Sequence, residues 1–464
     1  MTFKNNIYIL VIALAISSCS NLTTSKVPSI EYDKWREASL SGKADIDKDW
    51  WNNFEDEKLT KVIEVAQNNN KDIKIAIERI NQARANESSV LADNLPVVNA
   101  NLSAGRNKNS SNLTSRPITN KFNNNFKAEF DSTWEINIFG IEPATRAAAA
   151  LTEKAQEDLD QVYVSLYGEV ASSYFNLRKA QLQLSLNSTK LDKLEEKLKL
   201  QRALFEAGNI DGIELATTEK EISGAKFNME TLNNSFKQQK YMLNSLCGVK
   251  PGELDDIINS SFSYTVPSKN IFVSAPEDVL KNRPDVRSSL KNLLYSSAAK
   301  DVAITNLLPK ISISGLLGFE SGRAGNLLES GSNAWGATGS LIAPILDYKK
   351  IHADIKDTKS KEREAIASYE KTVLAALSDV ESSLASYKSS VTNLEFSKSQ
   401  FLSSKDQESL TKDRYEKGLN SYIDSVDSSS SRVDNEVSLE EAKFENLIQL
   451  VRVYKALGGG WGND

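Results

Sequence analysis

The sequence predicts a mainly α-helical chain that also carries four amphipathic β-strands, too few to close a barrel alone but suited to sharing one. Three observations lead there. Segments of about ten residues alternate apolar and polar side chains with period two. Very long stretches lack Gly and Pro and carry a coiled-coil seam. The whole layout also occurs twice, with a constant offset of 210 to 213 positions.

Composition supports a water-compatible chain. Charged residues make up 25% of the 464 and the mean hydropathy is negative, which excludes a bundle of membrane-spanning helices. The net charge of −6 offers no basic patch, so a nucleic-acid partner is not expected. The single histidine, His352, rules out a His-rich metal site, and no nucleophile motif accompanies it. It is expected on a helix surface. No catalytic, cofactor or metal site is predicted.

The N-terminus has its own chemistry. Lys4 precedes an apolar run over residues 7–16, too short to span a bilayer as a helix. Small residues Ser17 and Ser18 then lead to Cys19, the pattern of a secretory signal. The segment resembles a bacterial lipoprotein box, which implies that Cys19 becomes the lipidated first residue. Ser20 follows, not an Asp that signals inner-membrane retention. An ordinary cleaved signal with an incidental Cys is the alternative. With Cys19 acylated, Cys247 has no partner for a disulfide and is expected as a lone buried thiol.

The duplication is visible at three places. Leu95-Pro96 recurs as Leu308-Pro309, Glu169-Val170-Ala171-Ser172-Ser173 as Asp379-Val380-Glu381-Ser382-Ser383, and the stretch ending at Gly208 as the one ending at Gly418. One structural unit has been copied. The expected organisation is a signal peptide at 1–18, a tether at 19–54, a first repeat at 55–257, a linker at 258–274 and a second repeat at 275–464. Each repeat reads as a helix, Leu-Pro, two strands, a very long helix, a Gly break and another long helix.

In the strands, Phe126, Ala128, Phe130, Ser132, Trp134, Ile136 and Ile138 fall on one face, opposite Lys127, Glu129, Asp131, Thr133, Glu135 and Asn137. Val98, Ala100, Leu102 and Ala104 form a similar face. So do Ile311, Ile313, Leu317 and Phe319, then Trp335, Ala337, Leu341 and Ile345. A half-buried strand in a soluble sheet shows the same alternation. In lipid, however, sheet edges must close, and the smallest bacterial barrels use about eight strands. Four strands per chain therefore require several chains if they lie in a membrane.

The helices are equally long. From Leu177 through Ala180, Leu184, Asn187, Leu191, Leu194, Leu198 and Gln201 to Phe205, seam positions alternate by three and four. Residues 144–207 have one Gly and no Pro, and residues 351–415 have neither. Each predicts a rod of roughly 90 Å.

Several segments resemble the TolC/OprM-type outer-membrane factors. They are Trp50-Trp51 with Phe54, the run Arg79-Ile80-Asn81-Gln82-Ala83-Arg84-Ala85, the run from Ser132 through Trp134-Glu135-Ile136 to Gly140, Arg283-Pro284-Asp285-Val286-Arg287, and Leu457-Gly458-Gly459-Gly460-Trp461. They occur in family order over most of the chain. Pro344-Ile345-Leu346-Asp347-Tyr348-Lys349-Lys350 departs from the family pattern, where Phe and Gly usually precede the basic residue.

The resemblance implies a homotrimer with a 12-stranded outer-membrane β-barrel above a periplasmic α-barrel of 12 helices. It also implies docking to a periplasmic adaptor and an inner-membrane pump, of RND type given the lipid Cys, and contact with outer-membrane lipid. The expected function is efflux or export through the outer membrane. Protein secretion through a type I system is an alternative, and a periplasmic adaptor lipoprotein a weaker one.

The same resemblance places a closure at the periplasmic helix-turn-helix tips. It points to Asp424 and Asp427 as acidic pore residues, Ile423 as an apolar constriction and Tyr415 as a residue whose hydrogen bonding holds the closed state. Glu214 is the repeat partner of Asp424, each six residues past its Gly. Carboxylates ringing a narrow pore favour cations. Asp211-x-x-Glu214 and Ser421-x-x-Asp424 also read as helix capping boxes, and the two roles are compatible.

Overall fold

The computed structural model describes residues 27–28, 30–37, 48–108, 110, 122–259, 264–267 and 273–461. Cys19 and the signal segment lie outside them. A 3-10 turn at Trp50–Phe54 opens the ordered chain. It is followed by α1 (Glu57–Asn69), α2 (Lys71–Ala92), β1 (Val97–Lys108), β2 (Phe122–Ile136), α3 (Ile141–Glu206) and α4 (Gly212–Leu246). After a short turn of helix, α5 (Asp255–Ile258), the order repeats: α6 (Pro276–Asn282), α7 (Pro284–Thr305), β3 (Lys310–Ser321), β4 (Asn333–Ile342), α8 (Tyr348–Glu416) and α9 (Tyr422–Ala456).

Local chemistry sets the helix starts. Asp56 accepts from the N–H groups of Lys58 and Leu59 at 2.8 and 3.2 Å, and so caps α1. Asn70 does the same for α2 through Asp72 and Ile73. Pro276 and Pro284 occupy first-turn positions, where a missing N–H costs nothing. α3 and α8 extend three residues further N-terminally than the Gly- and Pro-free stretches suggest, and run 66 and 69 residues, about 100 Å each.

The chain divides into two compact units that cut across the sequence repeats. Among the described residues, one takes in those within 79–156 and 288–370, and the other those within 30–78, 157–287 and 371–464.

The first unit contains a four-stranded antiparallel sheet in the order β1-β2-β3-β4, leaving β1 and β4 as edges. Three strand limits differ from the alternation pattern. β2 begins four residues earlier, at Phe122, and ends at Ile136, before Ile138, while β4 ends at Ile342, so Ile345 stands outside the strand. Pro344 explains the stop, because it has no N–H for the ladder. Beside the sheet, α7 presents Lys300 and Asp301 as buried charges. Lys300 meets Glu362 at 2.8 Å and Asp301 meets Arg146 at 3.1 Å.

The second unit holds a core of Trp50, Phe54, Leu59, Tyr174, Phe175, Leu177 and Phe444, all nearly or fully buried. Trp35, Trp50, Trp51 and Phe54 are thus packed, although the tether expectation of 19–54 covers them. Glu381 pins the preceding segment. It accepts from the Tyr32 hydroxyl and the N–H groups of Arg36 and Glu37. Cys247 is fully buried there, as a lone thiol should be.

Two sequence motifs meet in this unit. The Arg283 guanidinium donates to the Ala456 carbonyl and pairs with Asp285 and Asp379. Arg287 lies over the Trp461 ring, 4.6 Å from its centroid. Gly458 and Gly460 have positive φ, and a Cβ at Gly460 would press on Trp50 and Tyr167 at 3.1 Å. The glycine run therefore lets the C-terminal segment turn against a crowded aromatic wall.

Candidate functional site

The register settles which side chains share a sheet face. Ala100, Phe130, Leu317 and Trp335 stand in one row across all four strands, and Leu102, Ala128, Phe319 and Asn333 in the next. Trp134 with Ile313, and Ile136 with Ile311 and Leu341, continue the same face. Every predicted apolar position except the two beyond the strand ends, Ile138 and Ile345, lies there. The face is bare: Leu102 is 82% exposed, Phe130 60%, Leu317 61% and Trp335 77%. An apolar surface of this extent marks an interface or a membrane contact.

The opposite face is mostly polar, with Val97, Leu316 and Ile342 as its apolar members, and its charges are paired within the sheet. Lys127 meets Glu320 at 3.3 Å and Lys310 meets Glu135 at 3.0 Å. Asp131 accepts from the side-chain amides of Asn99 and Asn101. Gly318 sits opposite Glu129, where a Cβ would come within 2.3 Å of the Ala128 carbonyl.

In the second unit the two helix-turn-helix tips repeat each other. At the first, Asn209 N–H donates to the Leu204 carbonyl and Gly208 N–H to that of Phe205. At the second, Leu419 donates to Arg414 and Gly418 to Tyr415. This is the Schellman pattern, with φ of 76° and 71° at the two glycines.

The next helices start differently. Ser421 and Asp424 form a complete capping box. Asp211 caps only the Ile213 N–H, at 2.8 Å, and Glu214 does not return the bond. Glu214 stays exposed, without an ion pair or hydrogen bond among the described residues.

Of the residues picked out from the sequence, Asp424 is engaged as a cap and Ile423 is half-buried beside it. Asp427 receives the Lys197 ammonium at 2.6 Å, with Glu221 3.8 Å from the same nitrogen. Tyr415 packs its ring 5.2 Å from that of Tyr422. The hydrogen bond at this place belongs to Tyr422, which donates to Glu196. That bond, helped by Lys193, holds the Glu196 carboxyl below its ordinary range. Tyr422, Glu196 and Lys197 were not marked by the sequence, because their pairing depends on α9 returning alongside α3.

The α3 seam is realised. Leu177, Ala180, Asn187, Leu194 and Gln201 are buried, and Asn228 of α4 donates to Asn187 at 3.2 Å. Only Phe205, at the end, is exposed.

The outer membrane efflux protein family matches at residues 62–249 and 275–459. The chain belongs to that family. The pyoverdine export outer membrane protein OpmQ of Pseudomonas putida is 24% identical over 472 residues, covering 100% of this chain and 99% of that one. The toluene efflux pump outer membrane protein TtgI of Pseudomonas putida is 25% identical over 410 residues, 88% of this chain and 86% of that one. Among solved structures, the outer-membrane channel OprN aligns with a TM-score of 0.86 at 26% identity, covering 95% of this chain and 99% of that one. The Campylobacter jejuni CmeC outer membrane channel gives the same TM-score and identity, covering 95% and 94%. This efflux protein is an outer-membrane channel component that extends into the periplasm, and it carries out transport without a reaction of its own.

Proposed function

We propose that three copies of the chain close one 12-stranded barrel in the outer membrane and continue it as a periplasmic tube, anchored by lipid at Cys19. A periplasmic adaptor and an inner-membrane pump of RND type dock beneath and supply the energy. The carrying observation is the bare apolar face on a four-stranded sheet with two free edges. Lipid satisfies the face, and only neighbouring copies satisfy the edges. The two halves, 55–257 and 275–464, act as pseudo-equivalent staves around the tube.

At the tip, Asp424 and Asp427 with Glu214 form the acidic constriction, beside Ile423 and Tyr415. Their contributions differ. Lys197 already offsets Asp427, whereas Glu214 is bare. In planar-bilayer conductance, Glu214→Gln is expected to lower the cation-over-anion permeability ratio clearly, and Asp427→Asn only slightly. An unchanged ratio in Glu214→Gln combined with Asp424→Ala would discard the ring. Trimer mass in detergent tests the assembly.

A further inference from the structure

We propose that the junction between β4 and α8 is a membrane-seated wedge. Ile345 and Leu346 enter the interface of the periplasmic leaflet, and Lys349 and Lys350 bind anionic phospholipid headgroups there. The inference rests on the lipid-facing reading of the sheet and adds a second, headgroup-specific contact.

Leu341 ends the lipid face, paired with Ile311, and is 69% exposed. The chain then leaves the strand, yet the apolar surface does not stop. Ile345 is 83% and Leu346 95% exposed, and Tyr348 59%. Two adjacent large aliphatic side chains this bare in a connecting segment lose hydrophobic stabilisation unless something apolar receives them. Their continuity with the lipid face names the receiver. Tyr348, with an apolar ring and a polar end, suits the water–lipid boundary.

The charges agree. Lys349 and Lys350 are exposed and form no ion pair among the described residues, although Asp347 is close in sequence. The first turn of α8 contains no acid, and cations there oppose the helix dipole. These lysines therefore weaken the helix start and are not explained by it. The equivalent junction of the first repeat, between β2 and α3, has no lysine and starts its helix with Glu142, paired to Arg146 at 2.5 Å. The basic pair thus belongs to the second repeat alone, although Ile138 at the first junction is also exposed. Basic residues at a membrane surface attract anionic lipid, with about fivefold in partition from each.

The test uses the full chain with Cys19→Ser, so that neither acyl chain nor a second reactive thiol interferes; Cys247 is buried. A spin label is placed by Leu346→Cys, with Leu102→Cys and Lys412→Cys as lipid and water references. In vesicles of phosphatidylcholine and phosphatidylglycerol, the label at 346 should collide with oxygen more often than with a nickel chelate, as at 102. Behaviour at 346 like that at 412, with 102 in lipid, overturns the wedge and leaves the barrel standing. Water-like behaviour at both 346 and 102 overturns both. Lys349→Gln with Lys350→Gln should lower the phosphatidylglycerol-over-phosphatidylcholine ratio retained by the purified protein about twenty-five-fold. An unchanged ratio removes the headgroup specificity.

Discussion

One cation serves two buried carboxylates in the second unit. Glu157 takes the Arg287 guanidinium at 2.6 Å, and Asp160, one turn on along α3, is 8% exposed and has no ion pair of its own among the described residues. Burial, and then the charge of Glu157, push the Asp160 carboxyl up to about 6 against the pull of Arg287. An unfolded Asp titrates near about 4. The folded state therefore binds this proton more tightly, so the group's contribution falls as pH rises from about 4 to about 6 and stays low above. Asp160→Asn keeps the shape and removes the charge. Its thermal midpoint should exceed that of the parent near neutral pH, and the gap should close below about pH 4. Parallel pH profiles for the two proteins would sink this account. The Arg283-Pro284-Asp285-Val286-Arg287 motif was visible in the sequence, but Asp160 was not. Its crowding exists only because α7 returns against α3.

Among the elements, the tips show what spacing reveals and what it hides. The glycine breaks and their 210-residue offset were legible, and both prove to be Schellman turns of the same form. The capping difference was not. Asp211-x-x-Glu214 and Ser421-x-x-Asp424 look alike as text, yet only the second closes its reciprocal bonds. Strand ends behave likewise: alternation continued through Ile345, but Pro344 had already ended the ladder. The glycines permit a direct experiment. Nothing lies within 4 Å of a Cβ built on Gly418, so an Ala there meets no neighbour and bears only its left-handed backbone. Gly418→Ala should cost the tip about 1 kcal/mol. Amide exchange over residues 415–425 should quicken about fivefold, with the core of the second unit unaffected. Exchange identical to the parent would mean that this turn is not held in the left-handed form.

For the whole molecule, the deciding question is what covers the sheet. Alternation alone fits a soluble sheet and a barrel equally. The strand count leaned toward a shared barrel, but which rows align across 187 positions, as Phe130 does with Leu317, required the register. That register makes one face apolar on every strand and leaves it bare, while the other face carries paired charges. The two faces should therefore answer differently to the same insult. Leu317 stands mid-strand between Phe130 and Trp335 on the apolar face. Ser314, three residues earlier, stands between Thr133 and Thr338 on the polar one. In a closed barrel, an arginine on the lipid side near the bilayer midplane costs about 2–4 kcal/mol, and on the lumen side little. Leu317→Arg should accordingly lose most of its heat-modifiable, folded form in phospholipid vesicles, whereas Ser314→Arg should refold like the parent and shift only the conductance. If both arginines were tolerated alike, the apolar face would be in water and the sheet would not be the wall of a membrane channel.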